Sequence, residues 1–236
     1  MLSKFEPKRT MRRWLSTVPA VYLPLRRLRN SQTVVHPATD LLIEGYPRSA
    51  NTWTEALIRE ASAHQLALAH HSHAAAHVMV ARKLGVPSVV LFRDPDDAVA
   101  SFLLLHDNMP DARGAFLDYA HFYKAAWPLR CDVVRFYSFE DVTKRADATI
   151  ADLALAFDLQ LSADGVTRES VFDRMDEKAA RLLRRHSKQS KSRPDLDPTA
   201  NCNMRSQVRG AVTSEHAATA RAAAYAIYDT MHSDLG

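Results

Sequence analysis

The most informative stretch of this 236-residue chain is Leu41-Leu42-Ile43-Glu44-Gly45-Tyr46-Pro47-Arg48-Ser49-Ala50-Asn51-Thr52-Trp53. It begins as a short apolar run, typical of a buried strand, and passes through a turn into a predicted helix. The first turn of a helix leaves backbone N–H groups without partners and carries the positive end of the helix dipole. Arg48 adds a fixed positive charge, and Ser49, Asn51 and Thr52 add short polar donors. The stretch therefore predicts a phosphate-binding turn.

The spacing of this turn nearly matches the nucleoside-triphosphate loop G-x-x-x-x-G-K-[ST], with Gly45 in the first position. Two differences stand out, because Ala50 replaces the second glycine and Asn51 stands where the phosphate-bridging lysine belongs. An ordinary ATP or GTP hydrolase is therefore disfavoured. A related loop remains, in which the cation is Arg48.

A second motif follows about forty residues later. Residues 87–92 form a short apolar run that indicates a buried parallel strand. Asp94 can cap the next helix and Pro95 suits its first position, which predicts a helix over residues 96–106. Arg93 then lies at the carboxyl end of a strand, where open α/β sheets bind ligands. Ser101 follows two helical turns later, on nearly the same face as the helix start.

Together these motifs resemble those of sulfotransferases that use 3′-phosphoadenosine-5′-phosphosulfate (PAPS). The family's 5′-phosphosulfate loop usually reads Tyr-Pro-Lys-Ser-Gly-Thr-Thr-Trp, and Arg93 and Ser101 fit its 3′-phosphate pair without a gap. The resemblance implies a P-loop NTPase-like sulfotransferase fold, with PAPS as co-substrate, 3′,5′-ADP (PAP) as product and no required metal. It spans residues 40–235, strongly in the first seventy of these and weakly afterwards. It implies a phosphosulfate loop made of Tyr46, Pro47, Arg48, Ser49, Ala50, Asn51, Thr52 and Trp53.

Histidines between the two motifs are candidates for the base that removes the acceptor's hydroxyl proton, since imidazole titrates near neutral pH. The resemblance implies a histidine after a short strand, and ungapped counting back from Arg93 gives His71, while one gap would favour His73. Both stay open, with Arg48 neutralising the charge on the leaving phosphate. A metal site is the competing interpretation, because His73 and His77 are four residues apart. No His-Glu-x-x-His motif accompanies them, and no metal ligand is expected.

Further nucleotide contacts are implied nearer the C-terminus. Phe139 follows a predicted strand at a position like that of the family's adenine-contacting aromatic residue, although it could equally fill the core. The family's Arg-Lys-Gly loop, which closes over the 3′-phosphate, has no matching triplet here. Arg205 and Arg209 are the candidates for its contacts.

The order of the predicted elements indicates an α/β fold, a parallel sheet with helices on both faces. Strands are expected near residues 41–44, 66–69, 88–92 and 132–137. Helices are expected near residues 52–64, 74–84, 96–106, 114–127, 144–157, 168–187 and 214–232. We expect a basic N-terminal arm over residues 1–38 and a single sulfotransferase domain over residues 39–236.

Charge is concentrated in the arm, where residues 1–30 hold eight basic residues and one acid, mixed with aromatic residues and leucines. Such a mixture suits an anionic membrane surface, although an arm packed on the domain is favoured, and Pro19 and Pro24 break any long helix. A second basic run, Lys178–Arg193, leads into a polar loop that could recruit an anionic acceptor such as an acidic glycan. No nucleic-acid motif accompanies either run.

Composition favours one globular enzyme, with 47% hydrophobic residues and two cysteines outside any Cys-x-x-Cys motif. No membrane span or secretion signal is recognised, so we expect a cytoplasmic protein, with the inner face of the membrane as the alternative. The expected activity is transfer of the sulfuryl group of PAPS to an acceptor hydroxyl, on a saccharide or glycolipid. The alternative is a nucleotide kinase or phosphate-binding module with a degenerate P-loop.

Overall fold

Four parallel strands form the centre of the molecule. The computed structural model describes residues 6–29, 33–105, 111–185 and 198–235. The strands are β1 (Leu41–Gly45), β2 (Leu68–His70), β3 (Ser88–Phe92) and β4 (Val134–Ser138), in the sheet order β2-β1-β3-β4. All residues of β1 and β3 are buried, as expected for strands covered on both faces.

The strand order reverses between β1 and β3. β2 pairs with one edge of β1, and the next strand in the sequence, β3, pairs with the other edge. Gly45 at the end of β1 pairs with Leu91 of β3. Such a switch point opens a crevice at the carboxyl ends of the strands, where ligands bind in open α/β sheets. The turn after Gly45 and the segment that starts with Arg93 both lie at this crevice.

Helices make up most of the described chain. Before the sheet come α1 (Glu6–Leu15) and α2 (Pro19–Arg29). Within the sheet region lie α3 (Asn51–Ala61), α4 (Ala75–Leu84), α5 (Pro95–Leu103) and α6 (Ala112–Ala126), the last followed by a short 3-10 helix, Trp127–Leu129. After β4 come α7 (Phe139–Lys144), α8 (Ala146–Phe157), α9 (Arg168–Arg185), α10 (Pro198–Val212) and α11 (Glu215–Leu235).

Alternate residues of the strands pack into two separate cores. Leu42 and Val90 belong to the core that contains α4, α6 and α11, whereas Ile43 and Val89 belong to the one that contains residues of α3 and α8. Successive strand side chains point to opposite faces of a sheet, so helices cover both faces. The predicted α/β architecture with a parallel sheet is confirmed at this level.

Local sequence signals explain several helix ends. Asp94 accepts a hydrogen bond from the amide of Asp97 at 3.0 Å and Pro95 is the first residue of α5, both as predicted. Ser138 and Asp141 form a reciprocal capping box at the start of α7. The predicted helix 144–157 corresponds to α8, which begins at Ala146, and α7 is a separate short helix before it.

Other predicted boundaries also need correction. The second strand covers residues 68–70 instead of 66–69, and the helix predicted over residues 52–64 ends at Ala61. The sequence predicted no helix at α10, and the polar loop expected before it falls on residues 186–197, which lie outside the described residues. Helix propensity is a weak local signal, which tertiary packing overrides.

The N-terminal segment contains two short helices that pack on the domain. Pro19 is the first residue of α2, where a proline needs no hydrogen bond, and Pro24 lies inside that helix. In α1, Arg9 and Arg13 bind Asp118 of α6 at 2.8 and 2.5 Å. None of the described helices is both long and apolar enough to cross a membrane.

The close packing of β1 against β3 leaves no room for a side chain at Gly45. A Cβ atom added at Gly45 would lie 2.4 Å from the carbonyl oxygen of Leu91, whereas one added at Gly210 in α10 would meet nothing within 4 Å. We expect Gly45→Ala to lower the free energy of unfolding by about 1–3 kcal/mol through overpacking. Gly210→Ala should instead raise it by up to about 1 kcal/mol, since alanine favours helix. Urea denaturation of both variants checks this, and equal stabilities would contradict it.

Candidate functional site

A cavity of about 740 Å³ lies at the carboxyl edge of the sheet. Its walls come from the turn after β1, the loop after β2, the segment after β3 and the start of α7, with α1 and α9 at the sides. The lining residues are Arg12, Pro47, Arg48, Ala50, Asn51, Thr52, Trp53, His71, His73, Arg93, Phe102, Leu105, Phe139, Thr143, Lys144, Arg168, Phe172 and Met175. The sequence analysis placed ten of these eighteen residues in the site, and the structure brings the ten together.

The turn between β1 and α3 has the backbone of an anion-binding loop. Arg48 and Ala50 adopt left-handed conformations, with φ of 72° and 71°, and the amide of Ser49 donates to the carbonyl of Tyr46 at 3.2 Å. Ala50 caps α3 without a side-chain hydrogen bond, so the first amides of this helix have no intrahelical partners. Concave loops of this kind, at a helix N-terminus, attract anions.

Two side chains of the turn, together with Tyr123 of α6, support the loop from inside. The buried amide Nδ2 of Asn51 donates to the carbonyl oxygen of Tyr46 at 3.1 Å. The hydroxyl of Tyr123 accepts from the amide of Tyr46 at 3.1 Å, donates to Leu91 at 2.6 Å, and lies 3.3 Å from Ser49 Oγ. The expectation that Ser49 and Asn51 offer donors to a phosphate is therefore corrected, because these contacts turn both side chains inward.

Arg48 connects the two motifs predicted from sequence. Its Nε donates to Ser101 Oγ at 2.9 Å, and its carbonyl accepts a hydrogen bond from Arg93 Nη1 at 3.4 Å. Partial burial, and second the charge of Arg93, lower the pKa of the Arg48 guanidinium. Two cations thus lie side by side at the switch point, where an anion would relieve their repulsion.

Phe139 and Trp53 form an aromatic end of the cavity. The guanidinium carbon of Arg93 lies 4.2 Å from the centre of the Phe139 ring, so this half-buried ring supports the cation. Trp53 donates from Nε1 to the carbonyl of Val142 at 2.7 Å and packs edge-on against Phe172 at 5.3 Å. Three aromatic side chains therefore surround the space next to Arg93.

The loop after β2 presents His73 with a defined tautomer. His73 Nδ1 lies 2.7 Å from the carbonyl oxygen of Gly45, which can only accept, so Nδ1 carries the hydrogen. In the neutral ring Nε2 is then the basic nitrogen, and it has no hydrogen-bond partner within the described part of the chain. His73 precedes α4, whereas His77 lies inside it, so the two do not share a helix face as a metal pair would require.

Both ring nitrogens of His71 are engaged. Nε2 lies 3.0 Å from Thr52 Oγ1, and Nδ1 lies 2.5 Å from Nδ1 of His70, with one hydrogen between these two nitrogens. Burial, followed by the charges of neighbouring His70 and His73, lowers the pKa of His71 to about 4. His71 is therefore neutral near pH 7 but offers no unengaged lone pair to a substrate.

Glu55 lies behind these histidines. Its carboxylate lies 3.4 Å from His70 Nε2 and 3.7 Å from His71 Nδ1, and it also pairs with Arg59 and Lys178. Burial raises the pKa of Glu55, but the charges of His70 and Lys178 outweigh it and lower the pKa below its usual range. Glu55, His70 and His71 have the spacing of a metal-ligand set. Two cations already neutralise the carboxylate, which weakens any affinity of this set for a metal ion.

A buried carboxylate holds the histidine loop in place. Glu44, fully buried on β1, accepts hydrogen bonds from the amides of Ser72 and His73 at 2.9 and 2.8 Å, and its Oε1 lies 3.0 Å from His77 Nδ1. Burial raises the pKa of Glu44, but the hydrogen bond and charge of His77 outweigh it and lower the pKa. The loop that carries His71 and His73 is thereby fixed to the strand that carries the anion-binding turn.

Five predicted residues do not line the cavity. Tyr46 and Ser49 are buried beneath the turn, and Ser101 contacts Arg48. Arg205 and Arg209 are exposed on α10, and neither lines the cavity. The cations that line it instead, beyond Arg48 and Arg93, are Arg12, Lys144 and Arg168. Sequence reasoning missed them because each belongs to a helix end or an arm whose direction depends on tertiary packing.

Stability should fall as the pH is lowered from about 6.5, the ordinary histidine pKa, towards 4. Burial lowers the pKa of His70 to about 4, although the charge of Glu55 opposes this shift. Burial also lowers the pKa of His71 to about 4. The unfolded chain therefore binds protons in this range that the folded chain does not, which costs about 1–3 kcal/mol for each histidine.

We expect His70→Gln to flatten this pH dependence above about pH 5, where most carboxylates of the unfolded chain are ionised and contribute little. The matched control is His64→Gln, because His64 is exposed. Urea denaturation between pH 5 and 7 gives the slopes, and parallel curves for the wild type and His70→Gln would contradict the assignment.

Two comparisons of the sequence with known proteins gave no match. The sequence matches no protein-family model, and no curated protein matches it. The function of the cavity therefore has to be argued from its own residues.

Proposed function

We propose that this chain is a PAPS-dependent sulfotransferase with a P-loop NTPase-like sulfotransferase fold. It would transfer the sulfuryl group of PAPS to a hydroxyl of an acceptor and release PAP. The observation that carries this proposal is the composition of the cavity wall, which has five cations, an anion-binding turn and an oriented histidine, but no aspartate or glutamate among its described residues.

The residues fit an anionic nucleotide. Arg48 and the first amides of α3 suit a phosphosulfate, and Arg93 and Ser101 suit a second phosphate nearby. Arg93 Nε is buried and has no hydrogen-bond partner among the described residues, which leaves a charged donor unsatisfied. Trp53, Phe139 and Phe172 offer rings against which a purine can stack.

His73 is the better candidate for the base. Gly45 fixes its Nδ1–H, which leaves Nε2 to accept the hydroxyl proton, whereas both nitrogens of His71 are occupied. As the acceptor oxygen forms its bond to sulfur, the bond from sulfur to the phosphate oxygen breaks and His73 takes the proton. Arg48 and the amides of α3 neutralise the charge that develops on the departing phosphate.

The alternative is a nucleotide kinase or phosphate-binding module. Kinases bind nucleotides with Mg²⁺, which prefers carboxylate and phosphate oxygens. The described wall of the cavity supplies no carboxylate, and Asn51, at the position of the P-loop lysine, donates to Tyr46 instead of facing a phosphate. These contacts favour the sulfotransferase over the kinase.

The acceptor hydroxyl has to reach His73, and we call the part of the cavity beside it the acceptor end. Arg12, Phe102 and Leu105 are lining residues not assigned to the nucleotide, so a cation and apolar surface are left for the acceptor. A saccharide or glycolipid hydroxyl, as expected from the sequence, is compatible with such a wall, and the cation would favour an acidic one. We retain a hydroxyl-bearing saccharide or glycolipid as the proposed acceptor class.

Nucleotide binding tests the proposal without knowledge of the acceptor. We expect PAP to bind the wild type by isothermal titration calorimetry without Mg²⁺, and Arg93→Ala to lose about 1.5–3 kcal/mol of binding free energy. Arg130→Ala is the matched control, because Arg130 forms an exposed ion pair with Asp234 outside this cavity. Binding of Mg²⁺-ATP without binding of PAP would overturn the proposal in favour of the kinase.

Turnover distinguishes the two histidines. We expect His73→Ala to lower the rate of PAP release from PAPS about 100-fold or more in the presence of a saccharide acceptor that supports turnover, since the general base is lost. PAP affinity should stay nearly unchanged. His71→Ala is the matched control and should retain more activity than His73→Ala. The reverse order would assign the base to His71, and full activity in both variants would reject a histidine base.

A further inference from the structure

Residues 6–29 expose a surface of large apolar side chains, which we call the outer face of the arm. It consists of Met11, Trp14, Val21, Leu25 and Leu28, with exposed fractions of 58%, 59%, 39%, 52% and 85%. In α2 the spacing of its three residues is i, i+4 and i+7, and in α1 its two residues are three apart, so each set lies on one face of its helix. Clustered exposed apolar residues mark an interaction surface.

The opposite sides of both helices are attached to the domain. Arg9 and Arg13 of α1 bind Asp118, and Leu23 of α2 is buried in the main core. Tyr22 donates to the carbonyl of Ser72 at 2.9 Å, and Arg26 donates to that of His71 at 3.0 Å. The apolar residues are therefore exposed on helices that are already docked by their other faces.

The charge next to this surface is positive. Residues 1–30 contain eight basic residues and one acid, and Arg12 and Arg27 are exposed on the same two helices. Arg12 and Arg27 each lie about 100° around the helix from an outer-face residue, Met11 and Leu28 respectively, so they flank the apolar stripes. Helices with a basic flank and an apolar face that includes Trp bind at the interface of lipid bilayers.

We propose that the outer face of the arm binds an anionic lipid bilayer, with the two helices lying in the membrane interface. Anionic headgroups would neutralise Arg27 while the apolar stripes enter the acyl boundary, and Arg12 stays in the cavity wall. A second copy of the chain fits this surface less well. A two-fold contact would bring two identical basic arms together, and like charges repel.

If the chain is a sulfotransferase, as proposed above, this surface also bears on which acceptor it uses. Arg12 lines the cavity, and α2 holds the loop of His71 and His73, so the arm is part of the catalytic cavity's wall. A membrane-bound arm would bring the acceptor end of the cavity to the lipid surface, which suits a glycolipid acceptor at the inner face of a membrane. The lipid binding itself does not depend on the reaction.

Vesicle co-sedimentation of the full chain tests the proposal. We expect binding to vesicles of phosphatidylcholine with phosphatidylglycerol, little binding to phosphatidylcholine alone, and a loss of binding as salt is raised. Leu28→Glu should weaken partitioning about tenfold or more, because an apolar side chain is lost and a negative charge is added. Leu155→Glu is the matched control, since Leu155 is 87% exposed on α8, outside the arm.

The outcomes separate lipid binding from other causes. Equal partitioning of the wild type and Leu28→Glu, or no binding of the wild type to anionic vesicles, overturns the proposal. A dimer in analytical ultracentrifugation that Leu28→Glu dissociates would assign the surface to a second copy and also overturn it. PAP titration of Leu28→Glu should match the wild type. If neither binds PAP while the wild type still binds vesicles, the sulfotransferase proposal fails and the lipid surface stands.

Discussion

The fully buried carboxylate of Glu44 is the contact on which the rest of the site depends. Moving an ion out of water into a protein interior costs several kcal/mol of free energy unless hydrogen bonds replace its hydration. Two amides of the loop after β2 and the ring of His77 supply that replacement. The loop accordingly adopts left-handed conformations at His71 and His73, with φ of 59° and 52°, which cost about 1 kcal/mol or more each. The buried charge offsets this strain and sets the direction of His73.

The site is closed from the other side by the arm. Tyr22 and Arg26 bind the carbonyls of the same loop whose amides bind Glu44, so the histidines are held between β1 and α2. Such hydrogen bonds to both sides of a strained loop restrict its backbone more than either side could alone. The arm, which the sequence favoured as packed on the domain, therefore contributes directly to the geometry of the cavity.

Local patterns predicted the fold better than the site. The strands at residues 41 and 88 and the cap at Asp94-Pro95 depend on neighbouring residues, and the sequence located them within one residue. The choice between His71 and His73 depends on the Gly45 carbonyl and on the ring of His70, contacts that counting along the chain cannot supply. The sequence also could not show that Ser49 and Asn51 turn away from the cavity. Ser49 is held inward by Tyr123, which is more than seventy residues away in the sequence. Arg205 and Arg209 lay on a helix that no pattern predicted.

The distribution of charge in the cavity narrows its chemistry further. Arg48 and Arg93 both line the cavity, with Arg93 hydrogen-bonded to the carbonyl of Arg48, and further cations lie at Arg12, Lys144 and Arg168. No carboxylate lines the described wall of the cavity: Glu44 and Glu55 are buried, and Asp97 is exposed but paired to Arg93. A wall of this composition favours a ligand with several negative charges. Transfer from a doubly phosphorylated nucleotide, with protein cations in place of a metal, is the reaction that we propose for a site with such a field.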